Sequence, residues 1–418
     1  MPTLAPAIET PAPTAPLVPP PAGAPTLPGS PPGAARPAAE LAAAGRVLGR
    51  LGRPGGAVLV CVAGLHGNEP AGVVGLARVI ARLRAEPRGL AGELVGLLGN
   101  RCALVEGKRF LRRDLNRMWL PERVSRLRAG EPPAEPEEDE LIALDRELSA
   151  VLAGAGRVHV LDLHTTSAPG PAFAVLDDTL ANRAFARSLG VPLVLGLEEE
   201  LDGTLLHHLI DRGAVCTGFE SGQHDAPEAV DVAEAAVWTA LEASGVLGPG
   251  SRPEALTAAR RLAAGASGLP GVTEVVYRHA IAPGDGFAMA PGFRGFQPVH
   301  AGQPLGRDRA GAVAAPRRGR LLMPLYQPQG DDGYFIVREV RPFWLALSAA
   351  MRRLRLERWL HLLPGVRRHP ERPGAFAVDR RVARWVALEI FHLLGFRRQS
   401  DDGRELVVSR RAGDRPRR

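Results

Sequence analysis

In the stretch GLHGNEPAG (64–72), His66 and Glu69 stand three positions apart between glycines, directly after the apolar run AVLVCVA (57–63). A histidine and a carboxylate on one turn are metal-type ligands, and Gly64 and Gly67 let the backbone bend sharply enough for both to reach one ion. Taken alone, the H-x-x-E pair describes a solvated turn as readily as a metal site. A second histidine, His164 in LDLHTTS (161–167), ends another apolar run, VHVLDLH (158–164). All three residues fall at what read as the C-terminal ends of strands, where open α/β sheets gather their ligand sites. Two histidines and one carboxylate suit zinc, and a catalytic zinc keeps its fourth position for a water whose pKa it lowers to roughly 7. Asp162, two residues before His164 on the same strand face, is placed either to support that imidazole or to be a buried structural acid.

The elements that must position these residues follow from hydrophobic periodicity. AVLVCVAG (57–64), GELVGLLGN (92–100), VHVLDLH (158–164), AFAVLD (172–177) and AVCTGFE (214–220) read as strands. AGVVGLARVIARL (71–83), EDELIALDRELSAVLAG (138–154) and AVDVAEAAVWTALEASG (229–245) carry helix-spaced apolar positions. Strands alternating with helices specify an α/β layer architecture. From 272 to 340 the pattern breaks into short strands between Gly and Pro, which reads as a small β domain. Residues 342–363 and 379–394 have helical spacing, the second opened by Asp379, and FRRQSDDGRELVVSRR (396–411) reads as a hairpin around Asp-Gly. The domain reading is a disordered tail over 1–43, a catalytic domain over 44–250, the small β domain over 272–340 and a basic helical extension over 341–418.

Composition narrows the function classes. Residues 1–43 are rich in Pro, Ala and Gly without periodicity, too poor in burial to order themselves. The net charge of +7 is uneven: residues 341–418 hold 19 Arg against 8 acids, and residues 1–340 hold 33 basic side chains against 37 acids. Only Lys108 is a lysine, a bias that GC-rich coding alone can give, so the arginine content makes no case for nucleic acid. The basic extension could contact an anionic partner, but the bland alternative is favoured, a helical cap whose Trp344, Trp359, Trp385, Phe391 and Leu393 pack on the body. No stretch is long and apolar enough to span a membrane, and the start has neither the basic nor the apolar region of a secretory signal. Cys61, Cys102 and Cys216 form no pair spacing, which fits a reducing cytoplasm.

RFLRRDLNRMW (109–119), LDLHTTS (161–167) and GFESGQH (218–224) follow GLHGNEPAG in that order. Together they resemble the succinylglutamate desuccinylase/aspartoacylase family, relatives of the zinc carboxypeptidases, whose pattern is G-x-H-G-N-E, R-x-x-x-x-D-L-N-R, D-x-H and E-x-G. The resemblance covers about residues 50–340. It implies a zinc-carboxypeptidase-like mixed sheet flanked by helices, with a small β domain appended. It implies His66, Glu69 and His164 as zinc ligands, in agreement with the residue types, and Glu220 as the carboxylate that activates the zinc-bound water and protonates the leaving amine. Arg109 matches the arginine that stabilises the oxyanion. Asn116 and Arg117 match the pair that grips a substrate carboxylate. A C-terminal-domain tyrosine closes the site in aspartoacylases; here spacing favours Tyr334 over Tyr326, with core packing as the competing role. Arg212 sits at shorter spacing than the family's additional substrate arginine, His207 and His208 read as a helix surface, and His224 has no assigned role. The implied activity is zinc-dependent removal of an acyl group from a small N-acyl amino acid or similar acylated amine. The alternatives are a metallocarboxypeptidase acting on peptide C-termini and a non-catalytic zinc-binding protein acting through its basic tail.

Overall fold

The computed structural model of the chain describes residues 32–154, 156–370, 375–379, 394, 396–401 and 405–410. In the first part, strands β1 (Val47–Gly52), β2 (Val58–Ala63), β3 (Glu93–Leu98), β4 (Val158–Thr166), β5 (Phe173–Val175), β6 (Leu193–Leu195) and β7 (Val215–Gln223) are interleaved with helices. The helices are α1 (Pro32–Ala44), α2 (Pro70–Ala85), α3 (Arg101–Glu106), α4 (Pro121–Arg128), α5 (Pro136–Gly154), α6 (Leu180–Ser188), α7 (Leu197–Glu200), α8 (Leu205–Asp211), α9 (Ala229–Ala243) and α10 (Pro253–Gly265). Then come β8 (Val272–Ala280), β9 (Ala288–Met289), β10 (Pro298–Val299), β11 (Pro304–Asp308), β12 (Gly311–Ala314), β13 (Gly319–Leu322) and β14 (Asp332–Glu339). The last described elements are α11 (Pro342–Arg353), β15 (Val366–Arg368), β16 (Ala375–Asp379), β17 (Phe396–Asp401) and β18 (Glu405–Arg410).

One mixed sheet runs β1-β3-β2-β4-β7-β5-β6-β8-β14-β13-β10. Its centre, β3-β2-β4-β7, is parallel, and such strands are buried on both faces and read as continuous apolar runs. Alternation sorts the side chains between the two layers. Leu59, Cys61, Ala63, Leu161 and Leu163 pack with Val73 and Leu76 of α2 and Ala236 and Leu241 of α9. Val58, Val60, Val62, Val158 and Val160 face Leu141, Leu144 and Leu148 of α5 and Leu205 and Leu209 of α8.

The structure departs from the sequence-based expectation in three places. Residues 32–43, expected to belong to a disordered tail, fall within α1. Its Ala34, Ala38 and Ala42 are buried, and this i, i+4 stripe of small side chains lets α1 lie close against its neighbours. Residues 1–31 lie outside the described residues.

Residues 272–340 were expected as a separate small β domain, but β8 pairs parallel with β6, so β8, β14, β13 and β10 prolong the main sheet. That pairing covers what would otherwise be an open edge. Only β12-β11-β9 stands apart as a small antiparallel sheet.

The extension beyond 341 is not simply helical. After α11 and a 3-10 turn over Leu356–Leu362 comes an antiparallel sheet, β15-β16-β18-β17, in which β17 and β18 pair as the two strands of the expected hairpin, whose turn, 402–404, lies outside the described residues. Asp379, expected to open a helix, ends β16, whose four preceding residues are all buried; residues 380–393 lie outside the described residues. The expected cap also differs, since Trp344 is 48% and Trp359 58% exposed. Trp385, Phe391 and Leu393 lie outside the described residues. Among the described residues, no helix is long and apolar enough to cross a membrane.

A buried ionic cluster docks α11 on the body. Asp178 takes both prongs of Arg183, while Arg352 of α11 donates to the Asp178 carboxylate at 2.7 Å and to its carbonyl at 2.6 Å. Arg183 also reaches Ser348 Oγ of α11 at 3.2 Å. Removing the carboxylate leaves two buried guanidiniums short of their counter-charge, a loss of about 3–5 kcal/mol. Asp178→Ala should therefore lower the urea midpoint sharply. Arg36→Ala, which removes an exposed pair with Glu40, should stay within about 0.5 kcal/mol of the parent in the same titration.

Candidate metal centre

The chain leaves β2 through Gly64, whose positive φ of 71° suits glycine. It passes His66 and reaches Glu69 just before Pro70 opens α2. Gly67 has no room for a side chain, because a Cβ there would lie 2.1 Å from the Ala103 carbonyl and 2.4 Å from Lys108 O. Glu69 makes no capping bond to α2, and its carboxylate turns inward. On the neighbouring strand, β4 carries Asp162 and His164, and parallel pairing sets Glu220 of β7 beside His164.

These placements converge. His66 Nδ1 lies 2.8 Å from Glu69 Oε1, and His164 Nδ1 lies 3.0 Å from Glu69 Oε2. The far ring nitrogens are held by carboxylates, His66 Nε2 by Asp114 at 3.1 Å and His164 Nε2 by Asp162 at 2.9 Å. One ligand atom from each of His66, Glu69 and His164 can be chosen so that all lie within 4.8 Å of one another, and all three residues are buried. Imidazoles that turn one nitrogen inward and anchor the other on a carboxylate have the arrangement of metal-binding histidines. The donor set therefore fits a zinc-type ion.

The electrostatics point the same way. Glu69, Asp114, Asp162 and Glu220 are buried carboxylates, and the Arg109 guanidinium pairs with Glu69 and Asp114. Burial opposes the charge on His164, but Asp162 and Glu69 raise its pKa well above the usual imidazole range. Burial would likewise push Glu69 and Asp114 up. The imidazoles instead hold Glu69 well below the carboxylate range, and His66 with Arg109 does the same for Asp114. At Glu220 burial prevails: against the charges of His164, His66 and Arg109, and with that of Glu69, it pushes the carboxyl up to about 7, and Oε2 is buried without a hydrogen bond among the described residues.

Arg109 is brought to the centre, donating to Glu69 Oε1 at 3.4 Å and Asp114 Oδ2 at 3.0 Å. Asn116 and Arg117 form a 3-10 turn begun by Asp114, whose carboxylate accepts from Asn116 N at 2.8 Å. Asn116 Oδ1 accepts from Leu205 N at 2.9 Å, and Arg117 Nη2 reaches Asp332 at 3.3 Å. Tyr334, expected to close the site, does not. It is fully buried, stacked on His279 with centroids 4.9 Å apart, and its hydroxyl points to Ala314 O at 3.4 Å. Its place on β14 makes it core of the sheet's extended end. The Tyr326 hydroxyl is bound to Ala290 O and Phe293 N. His208 and Arg212 meet buried Asp145.

Three contributors escaped the sequence reading. Glu137 of α5 accepts from Leu111 N at 2.7 Å and Arg112 N at 3.2 Å, holding the loop that bears Arg109; its acidic first turn signalled only a helix start. His224 Nδ1 meets Thr165 Oγ1 at 2.7 Å, and Gln327 lies within hydrogen-bond reach of His224 and Asn68. No local pattern marks Gln327, which comes from the connection between β13 and β14.

The model of the succinylglutamate desuccinylase/aspartoacylase catalytic domain matches residues 55–236. Over 107 residues the chain is 37% identical to a succinylglutamate desuccinylase of Serratia proteamaculans, a stretch that is 26% of this chain and 31% of that relative. It is 44% identical over 61 residues to one of Yersinia pseudotuberculosis, covering 15% of this chain and 18% of the relative. The matched stretches thus span less than a third of these curated relatives. Among solved structures, a succinylglutamate desuccinylase/aspartoacylase from Rhodobacter sphaeroides aligns over 71% of this chain and 88% of its own at TM-score 0.53 and 19% identity. A Vibrio parahaemolyticus structure titled as the desuccinylase aligns over 68% and 82% at 0.50 and 15% identity. Such likeness speaks for the fold. The ordered motifs, the domain match over residues 55–236 and the shared fold agree in making this chain similar to the succinylglutamate desuccinylase/aspartoacylase family.

Proposed function

We propose that this centre hydrolyses the amide bond of a small N-acyl amino acid or similar acylated amine, with zinc as its ion. The observation that carries the reading is Glu220, set by strand register beside His164 with a buried, unengaged Oε2. Held by His66, Glu69 and His164, zinc supplies Lewis-acid polarisation and acidifies a water. Glu220 takes the proton of the attacking water and returns it to the amine nitrogen as the C–N bond breaks. Arg109, already charged and fixed by Asp114, stabilises the negative charge that develops on the carbonyl oxygen. Asp114 and Asp162 keep the imidazoles in orientation. Arg117 and Asn116 hold a substrate carboxylate: the guanidinium spends one N–H on Asn116 O and one on Asp332, which leaves three of its five donors.

Amine release from N-acetyl and N-succinyl amino acids and from short peptides tests this reading. The zinc-loaded protein should hydrolyse the N-acyl amino acids. Glu220→Gln should keep its zinc and lose about 10²–10⁴-fold in kcat; an unchanged kcat would remove Glu220 from the chemistry. Cleavage of peptides alone would favour a metallocarboxypeptidase. Arg109→Ala should lose about 10²–10³-fold in kcat, with metal content measured beside it to separate charge stabilisation from the bond to Glu69.

A further inference from the structure

The connection between β13 and β14 does not stay with its sheet. Its sequence PLYQPQG (324–330) crosses the centre and bonds to every loop that builds it. Ser167 Oγ donates to Pro324 O at 3.3 Å and accepts from Tyr326 N at 3.0 Å. Gln329 Nε2 donates to Phe110 O, next to Arg109, at 3.2 Å. Gln327 Oε1 accepts from Asn68 Nδ2 at 2.8 Å and from His224 Nε2 at 3.0 Å. Asn68 stands between the ligands His66 and Glu69, and His224 continues through Thr165, whose backbone N–H donates to Glu69 Oε2 at 3.1 Å.

The Gln327 amide is therefore fixed at one end and free at the other. Two donors occupy the two lone pairs of Oε1, and no described residue accepts from Nε2, which keeps both its N–H groups. The side chain is half-buried, and its Nε2 end is open to a ligand. We propose that Gln327 is a substrate-binding residue whose Nε2 donates to a carboxylate or carbonyl oxygen of the acylated amino acid, filling at the β13–β14 connection the role expected of Tyr334. This rests on the amidohydrolase reading above.

Gln327→Glu separates substrate binding from bracing. It keeps oxygens for Asn68 and His224 but replaces the donor end with an anionic oxygen. Dissociation constants for N-acetyl-L-aspartate and N-succinyl-L-glutamate are measured by calorimetry on zinc-loaded protein in the Glu220→Gln background, which blocks turnover. KM and kcat are measured on the single variant. For each acid that the parent protein binds, the expected result is a Kd and KM raised about 10- to 100-fold, with kcat changed much less and zinc content and thermal midpoint unchanged. Gln327→Ala, which loses the brace as well, should also lower the midpoint. If Gln327→Glu binds and turns over these acids like the parent, Gln327 only braces the loops and the inference is overturned. If the parent protein neither binds nor hydrolyses either acid, the functional reading fails and takes this inference with it.

Discussion

A surplus of negative charge buried at the ends of the central strands governs this protein. Glu69, Asp114, Asp162 and Glu220 are withdrawn from water around two imidazoles and one guanidinium. Burying unpaired carboxylates costs far more than a domain's net stability, so the cluster persists only where cations or protons offset it. Arg109 offsets part of the charge, and the rest falls to the space between His66, Glu69 and His164, where three donor atoms face one another. The cluster is thus a candidate cation site, set apart from the ion pairs around Asp145 and Asp178 by the facing donor atoms of two histidines and a carboxylate.

The rest of the fold meets this constraint piece by piece. Parallel pairing of β2, β4 and β7 delivers the ligand loop, His164 and Glu220 to one end of the sheet. Gly67 brings the ligand loop against the Ala103 and Lys108 carbonyls at a distance no side chain permits. Glu137 ties down the loop of Arg109, and the 324–330 connection reaches back from the sheet's extended end to hold Asn68, Ser167, Phe110 and His224. The strands after 272 therefore matter to the centre because they continue its sheet.

Much of this was legible in the sequence, for identifiable reasons. Buried parallel strands write themselves as unbroken apolar runs, and the sequence sets His66 and His164 at their ends. Asp162 stood two residues from His164, and its bond to that imidazole favours the supporting role over the purely structural one. Local reading failed where partners are distant. The alanine stripe of α1 looks like low-complexity tail until α2 and α9 supply a surface for it. Spacing favours Tyr334 over Tyr326 until pairing of β14 with β8 and β13 buries Tyr334 in the sheet. The buried run AFAV of β16 lies between the two stretches of helical spacing and is too short to mark itself as a strand, and Gln327 acquires meaning only through Asn68, distant in sequence.

The most direct test of this account is equilibrium zinc binding against a competing chelator, for the parent chain beside His164→Ala and Asp162→Asn. The account predicts a single tight zinc in the parent, loss of tight binding in His164→Ala, and an affinity about 10–100-fold weaker in Asp162→Asn, which disturbs only what orients the imidazole. Equal zinc uptake by all three proteins, or none by the parent, would contradict it.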